Sequence, residues 1–160
     1  MTRNVRMYNP THRYDTTGES GPTDTPSVQW SYELDTRSII TPEIAVWGGQ
    51  VYVTGRDGGI SVFNTDGDPQ WRFQSDKSVQ SSPAVVDETV YIGSQEPHNH
   101  VNALEATSGT GQWSFQGADR TPPTVWAMVS SPAVVDGTVY VGSIDEHVYA
   151  IDASNGIDRW

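Results

Sequence analysis

The chain spells out much of one passage twice, and that repetition limits what it can fold into. Ser130-Ser-Pro-Ala-Val-Val-Asp-Gly-Thr-Val-Tyr-Val-Gly-Ser143 restates Ser81-Ser-Pro-Ala-Val-Val-Asp-Glu-Thr-Val-Tyr-Ile-Gly-Ser94 almost letter for letter. A second matched pair follows, Val101-Asn-Ala-Leu-Glu-Ala-Thr-Ser-Gly-Thr-Gly-Gln-Trp113 and His147-Val-Tyr-Ala-Ile-Asp-Ala-Ser-Asn-Gly-Ile-Asp-Arg-Trp160. A worn third copy runs from Ile44 to Val53, through Ile60-Ser-Val-Phe-Asn64, to Trp71. Tryptophan recurs with the copies, at Trp30, Trp71, Trp113 and Trp160, at spacings of 41, 42 and 47 residues. Self-similarity at such a period denotes stacked supersecondary units, each the size of a blade of four short strands.

Within a unit the strands follow from turn chemistry. The first is Pro132-Ala-Val-Val, ended by Asp136-Gly137, and Asp-Gly between two apolar runs is a strong hairpin signal. Thr138-Val-Tyr-Val-Gly is the second strand and His147-Val-Tyr-Ala-Ile the third, with Trp160 opening a fourth. Short runs filled with β-branched and aromatic residues disfavour helix. Val139 and Val141 oppose Tyr140, so both faces are apolar and both must be covered, as when blades stack. Gly93, Gly142, Ala103 and Ala150 permit close approach of sheets. The expected fold is all-β, a propeller of antiparallel four-stranded blades with about three present, over roughly 41–73, 81–115 and 130–160. Residues 1–28 read as an irregular lead-in broken by Asn9-Pro10 and Gly21-Pro22. Alternation over Gln29-Trp-Ser-Tyr-Glu-Leu34 predicts a spare outer strand opening the propeller domain, 29–160.

Composition narrows the partners. Among the chain's 160 residues, 20 acidic side chains face 9 basic ones, a formal net charge of −11, and Lys77 is the sole lysine. Phosphate-binding stripes are missing, which disfavours nucleic acid. Acidity with lysine almost absent points to a salt-adapted protein, since salt screens the self-repulsion of carboxylates. There is no cysteine, which excludes disulfides, thiolate metal sites and cysteine catalysis. No apolar run reaches membrane-spanning length and no signal peptide opens the chain, so localisation stays open.

Ala103-Leu-Glu-Ala-Thr-Ser-Gly-Thr-Gly-Gln-Trp113 and Ala150-Ile-Asp-Ala-Ser-Asn-Gly-Ile-Asp-Arg-Trp160 resemble the tryptophan-docking motif of pyrroloquinoline-quinone (PQQ) repeat propellers. The copy from Val62 to Trp71 is one residue shorter and starts with Val in place of Ala. The resemblance covers about residues 29–160, and with the acidity it suggests a haloarchaeal-type member and a piece of a longer protein. It implies that Trp30, Trp71, Trp113 and Trp160 are structural, each indole wedging between blades against Ala103, Gly109, Ala150, Gly156 or their counterparts. It further implies a mostly exported or cell-envelope family. BamB-like members are non-catalytic scaffolds that bind protein on the loop face, although the lipid-attachment cysteine is absent here.

Catalytic residues are expected to be none. Enzymatic relatives hold PQQ and calcium on the propeller axis, and no matching acid–amide cluster appears. Cofactors are thus expected only under the alternative of a quinoprotein dehydrogenase fragment whose site lies in other blades. His98 and His100, two apart on an extended segment, are a weak metal pair, and a solvated hairpin tip is the favoured reading. The long segment after Gln116 carries Trp126 and Met128, which with His98 and His100 would form a partner patch on the loop face. Packing of Trp126 onto its own blade is the blander reading. Protein or peptide partners are expected, and the remaining blades, or a second copy, to close the ring. A sensor propeller attached to a further domain is a third possibility.

Overall fold

In the computed structural model the described residues are 28–32, 44–55, 58–75, 79, 81–94, 100–117, 130–143 and 146–160. They hold eleven strands in three antiparallel sheets. Blade 1 comprises β1 (Ile44–Trp47), β2 (Gln50–Thr54), β3 (Gly59–Asn64) and β4 (Pro69–Gln74), paired in chain order. Blade 2 repeats the meander with β5 (Ala84–Val86), β6 (Thr89–Ser94), β7 (His100–Glu105) and β8 (Gly111–Gln116). Blade 3 has β9 (Ala133–Val135), β10 (Thr138–Gly142) and β11 (Val148–Asp152). A fourth edge begins where Asp158 bridges Ile151 and the Arg159 amide donates to the Ala150 carbonyl at 2.7 Å. The first strands β1, β5 and β9 adjoin one another, which sets them at the inner rim and the fourth strands outside.

The first hairpin of every blade turns on two residues of positive φ: Gly48-Gly49, Asp87-Glu88 and Asp136-Gly137. That is the two-residue turn whose twist matches paired strands. Ser81 then locks the hairpin of blade 2, its hydroxyl accepting from the Gly93 amide at 2.7 Å, and Ser130 does the same for Gly142 at 2.8 Å in blade 3. The doubled Ser-Ser-Pro passage is thus explained by one hydroxyl clamp per blade. Ser131 extends it between blades, 2.9 Å from the Ser82 hydroxyl.

Two apolar layers hold the three sheets together. Val62, Tyr52 and Ile60 of blade 1 meet Val90, Ile92 and Leu104 of blade 2. Tyr91, Val101 and Ala103 on the opposite face of blade 2 meet Val139, Val141, Tyr149 and Ile151 of blade 3. Both faces of β6 are therefore buried, as its continuous apolar run requires. The outward face of blade 3 is bare: Val148 is 58% exposed, whereas its counterpart Val101 is 2% exposed.

The outer strand expected at 29–34 is a spare with no blade of its own, and it lies within the described residues only as far as Tyr32. Its described part, residues 28–32, joins no sheet. A strand needs a ladder partner, and none of the three described sheets offers one there; side chains hold the segment instead. Trp30 and Tyr32 cover Phe63, with ring centroids 6.1 and 4.7 Å away. No helix among the described residues is long and apolar enough to cross a membrane.

Candidate functional site

Two of the recurring tryptophans tie neighbouring blades together through their indole N–H groups. Trp71 of β4 donates its indole N–H to the Ala106 carbonyl of blade 2 at 3.0 Å, and Trp113 of β8 donates to Ala153 of blade 3 at 2.9 Å. Trp30 does likewise to Thr65 of blade 1 at 3.0 Å. Each indole lies flat on a turn glycine of positive φ. A Cβ added to Gly67, Gly109 or Gly156 would come within 2.7, 2.5 and 2.7 Å of Trp30, Trp71 and Trp113. Only glycine satisfies both the backbone and the ring. The blade 1 turn is one residue shorter, closing from the Gly67 amide to Asn64, yet it presents the same carbonyl and glycine to its indole. Trp160 has no described blade beyond it and is 71% exposed.

A tyrosine shares the docking carbonyls of Ala106 and Ala153. The Tyr52 hydroxyl lies 3.2 Å from Ala106 O, and that of Tyr91 lies 3.4 Å from Ala153 O. Burial pushes the Tyr52 phenol up to about 12. Burial also raises Tyr91, against the opposing hydrogen bond from Thr89. The motif carboxylates are committed to the turns themselves. Asp152 accepts from the Ser154 hydroxyl at 2.5 Å and its amide at 2.9 Å, and pairs with Arg159 at 2.6 Å. The Ser154 hydroxyl, then Arg159 and the Ser154 amide, hold its carboxyl down at about 2. Glu105 accepts from the Ser108 hydroxyl at 2.6 Å.

One described concavity stands apart from this packing. An open cleft of about 450 Å³ lies between blades 1 and 2, bordered by Phe73, Gln74, Ser75, Ser94, His100, Asn102 and Ser114. These residues sit at the ends of β4 and β6 and on β7 and β8, along the edge where β6 leaves and β7 enters its sheet. Across the ladder Ser94 faces His100, and Ile92, Asn102 and Ser114 form the next row. The interface is thus apolar at Val90 and Leu104 and becomes polar within two rows. Ser94 is 1% exposed, and its Oγ has no hydrogen-bond partner.

Of the partner-patch residues proposed from sequence, His98, Trp126 and Met128 lie outside the described residues. His100 opens β7 and borders the cleft. No group of three His, Cys, Asp or Glu among the described residues is placed to hold a metal. Ser94, Asn102 and Phe73 were not singled out by sequence. The signal lay in the repeats, where Asn102 stands opposite Ile92 as Tyr149 stands opposite Val141.

Comparison with known proteins follows the same lines. The profile of a family described as "Outer membrane protein assembly factor BamB", of the PQQ-repeat type, matches residues 21–160. The chain belongs to that family. No curated protein matches it. Among solved structures it is similar to BamB from Moraxella catarrhalis, with a TM-score of 0.62 and 17% identity over 78% of this chain and 37% of that one. It is also similar to quinohemoprotein alcohol dehydrogenase from Comamonas testosteroni, with a TM-score of 0.59 and 18% identity over 73% of this chain and 26% of the other. The computationally designed Ika4 protein gives a TM-score of 0.69 at 19% identity, over 85% of this chain and 79% of Ika4. These likenesses show the propeller fold, and the chain spans only 37% and 26% of the two natural proteins.

Proposed function

We propose that this chain is a non-catalytic propeller scaffold that binds protein or peptide on its loop face. The observation that carries the reading is the match over 21–160 to a family described as an assembly factor. The described chemistry supports it. The motif acids cap their own turns and three of the four recurring tryptophans are spent on blade docking, leaving recognition to the longer connections. Remaining blades of the same protein would close the ring against the bare face of blade 3, with a second copy as the other route.

The structural likeness to a quinohemoprotein alcohol dehydrogenase supports a second reading: part of a PQQ-dependent dehydrogenase whose cofactor and calcium are held by other blades. One experiment separates the two. The full-length protein is titrated with PQQ and calcium while absorbance and melting temperature are followed. The same protein is tested for partner capture with and without Trp126→Ala and Met128→Ala. A scaffold leaves absorbance and melting unchanged by PQQ and loses capture in the variants while still folding. A cofactor-induced absorbance change with a rise in melting temperature, and capture indifferent to Trp126 and Met128, sinks the scaffold reading.

A further inference from the structure

We infer that the cleft between blades 1 and 2 is a binding site for a small, uncharged polyhydroxylated ligand such as a mono- or disaccharide. The inference does not depend on the scaffold reading. It starts from an internal control, because the same interface occurs twice in the chain. Between blades 2 and 3, Phe115 meets Tyr149 with ring centroids 5.3 Å apart. Between blades 1 and 2, Phe73 takes the place of Phe115, but Asn102 takes the place of Tyr149 and a cleft opens. Replacing a buried phenol ring by a short amide at a packed interface forfeits contacts that the neighbouring copy retains. A packing role alone gives no reason to open the interface here.

The chemistry of the opened space is specific. Ser94 Oγ is buried without a partner, and a buried polar group in that condition is costly unless something from outside completes it. Asn102 and Ser114 add an amide and a hydroxyl, while Gln74 is tethered, accepting from Arg72 at 2.9 Å and donating to the Ser75 carbonyl at 3.1 Å. Hydroxyl and amide groups both donate and accept, which matches a ligand whose own groups are hydroxyls. The Phe73 ring gives one apolar wall for the C–H face of a sugar ring. Among the described residues no Asp, Glu, Lys or Arg borders the cleft, so a charged ligand there would meet no described counter-charge. The volume of about 450 Å³ lies within the range of small-ligand pockets.

The test is a titration of the full-length protein with D-glucose, maltose and gluconate, read by ligand-observed NMR and calorimetry. An open, partly solvated cleft predicts a dissociation constant of about millimolar for the neutral sugars. Asn102→Tyr, which rebuilds the ring pair of blades 2 and 3, is expected to abolish saturable binding while retaining the parent's melting temperature. Ser94→Ala is expected to weaken binding about five-fold through loss of one neutral hydrogen bond, and it decides the matter should Asn102→Tyr fail to fold. Glucose binding weaker than maltose binding assigns the site to glycan chains, and equal binding assigns it to free monosaccharide. The inference is overturned by no saturable binding of either neutral sugar, by unchanged affinity in Ser94→Ala, or by gluconate binding as well as glucose. It is equally overturned if sugar-soaked crystals show only ordered water at Ser94.

Discussion

Two residues show how single positions carry the repeat's cost. Tyr52 is fully buried against the docking carbonyl of Ala106, and its phenol is pushed up to about 12 by burial. Its folded value lies above the ordinary value of 10.0. The stabilisation is therefore complete below pH 10 and disappears as pH rises toward 12. Denaturant melts at stepped pH should show this alkaline loss, and Tyr52→Phe should blunt it while costing about 1 kcal/mol at neutral pH. Unaltered alkaline behaviour in the variant would place the loss elsewhere, with Tyr91 the next candidate. The second residue is Glu88, which holds φ at 63° in the turn where the other blades use Gly49 and Gly137. A side chain there costs about 1–2 kcal/mol, partly offset because glycine has more freedom to lose. Glu88→Gly should stabilise the protein by about 0.5–1 kcal/mol; its main-chain acceptor for Ala106 is untouched by the change. A destabilised variant would mean that the Glu88 side chain does something the turn does not require.

At the scale of elements, the docking tryptophans ought to separate by context rather than by residue type. Trp71 sits on Gly109 and donates to Ala106, so Trp71→Ala removes ring, cavity filling and hydrogen bond together. A loss of about 3–5 kcal/mol is expected. Trp160 occupies the same motif position but is 71% exposed, and Trp160→Ala should change the stability of the described blades by no more than about 0.5 kcal/mol. Equal losses in chemical denaturation would show that Trp160 is docked in solution. Legibility in the sequence follows the same division. β10 runs over Thr138–Gly142, as its Asp-Gly start and Gly-Ser end announce, because turn and strand chemistry are local. The matched copies likewise mark the glycines under the indoles. The cleft was not legible: Asn102 is an ordinary polar residue on a strand until the ring of Phe73, from another blade, is set beside it. Residues 29–34 alternate like a strand, and the described part joins none of the described sheets, because alternation reports a face and not a partner. His98, Trp126 and Met128 fall in stretches where repeat similarity ends, and the argument from self-similarity ends with it.

For the molecule as a whole, charge and packing oppose one another. The blades are joined by apolar layers, while the chain as a whole carries a net −11. Such self-repulsion weakens the compact state and is long-ranged only at low salt. The screening length falls from about 10 Å at 0.1 M to about 3 Å at 1 M, so repulsion between carboxylates on neighbouring blades fades over that interval. The contacts within the turns span only a few ångströms, as between Asp152 and Ser154 at 2.5 Å, and are screened far less. Salt should therefore stabilise the protein, raising its melting temperature by several degrees between 0.1 and 1 M sodium chloride. The form of the rise identifies its cause. Screening levels off once the screening length falls below the spacing of the charges, whereas strengthened apolar burial continues upward and is larger with sulfate. A plateau that is alike for chloride and sulfate at matched ionic strength assigns the effect to the acidic surface. A steady climb favouring sulfate assigns it to the blade interfaces and the uncovered face around Val148. A melting temperature that falls with salt would mean that the ion pairs, Arg159 with Asp152 among them, outweigh the repulsion, and the excess of acid would then need an explanation other than salt adaptation.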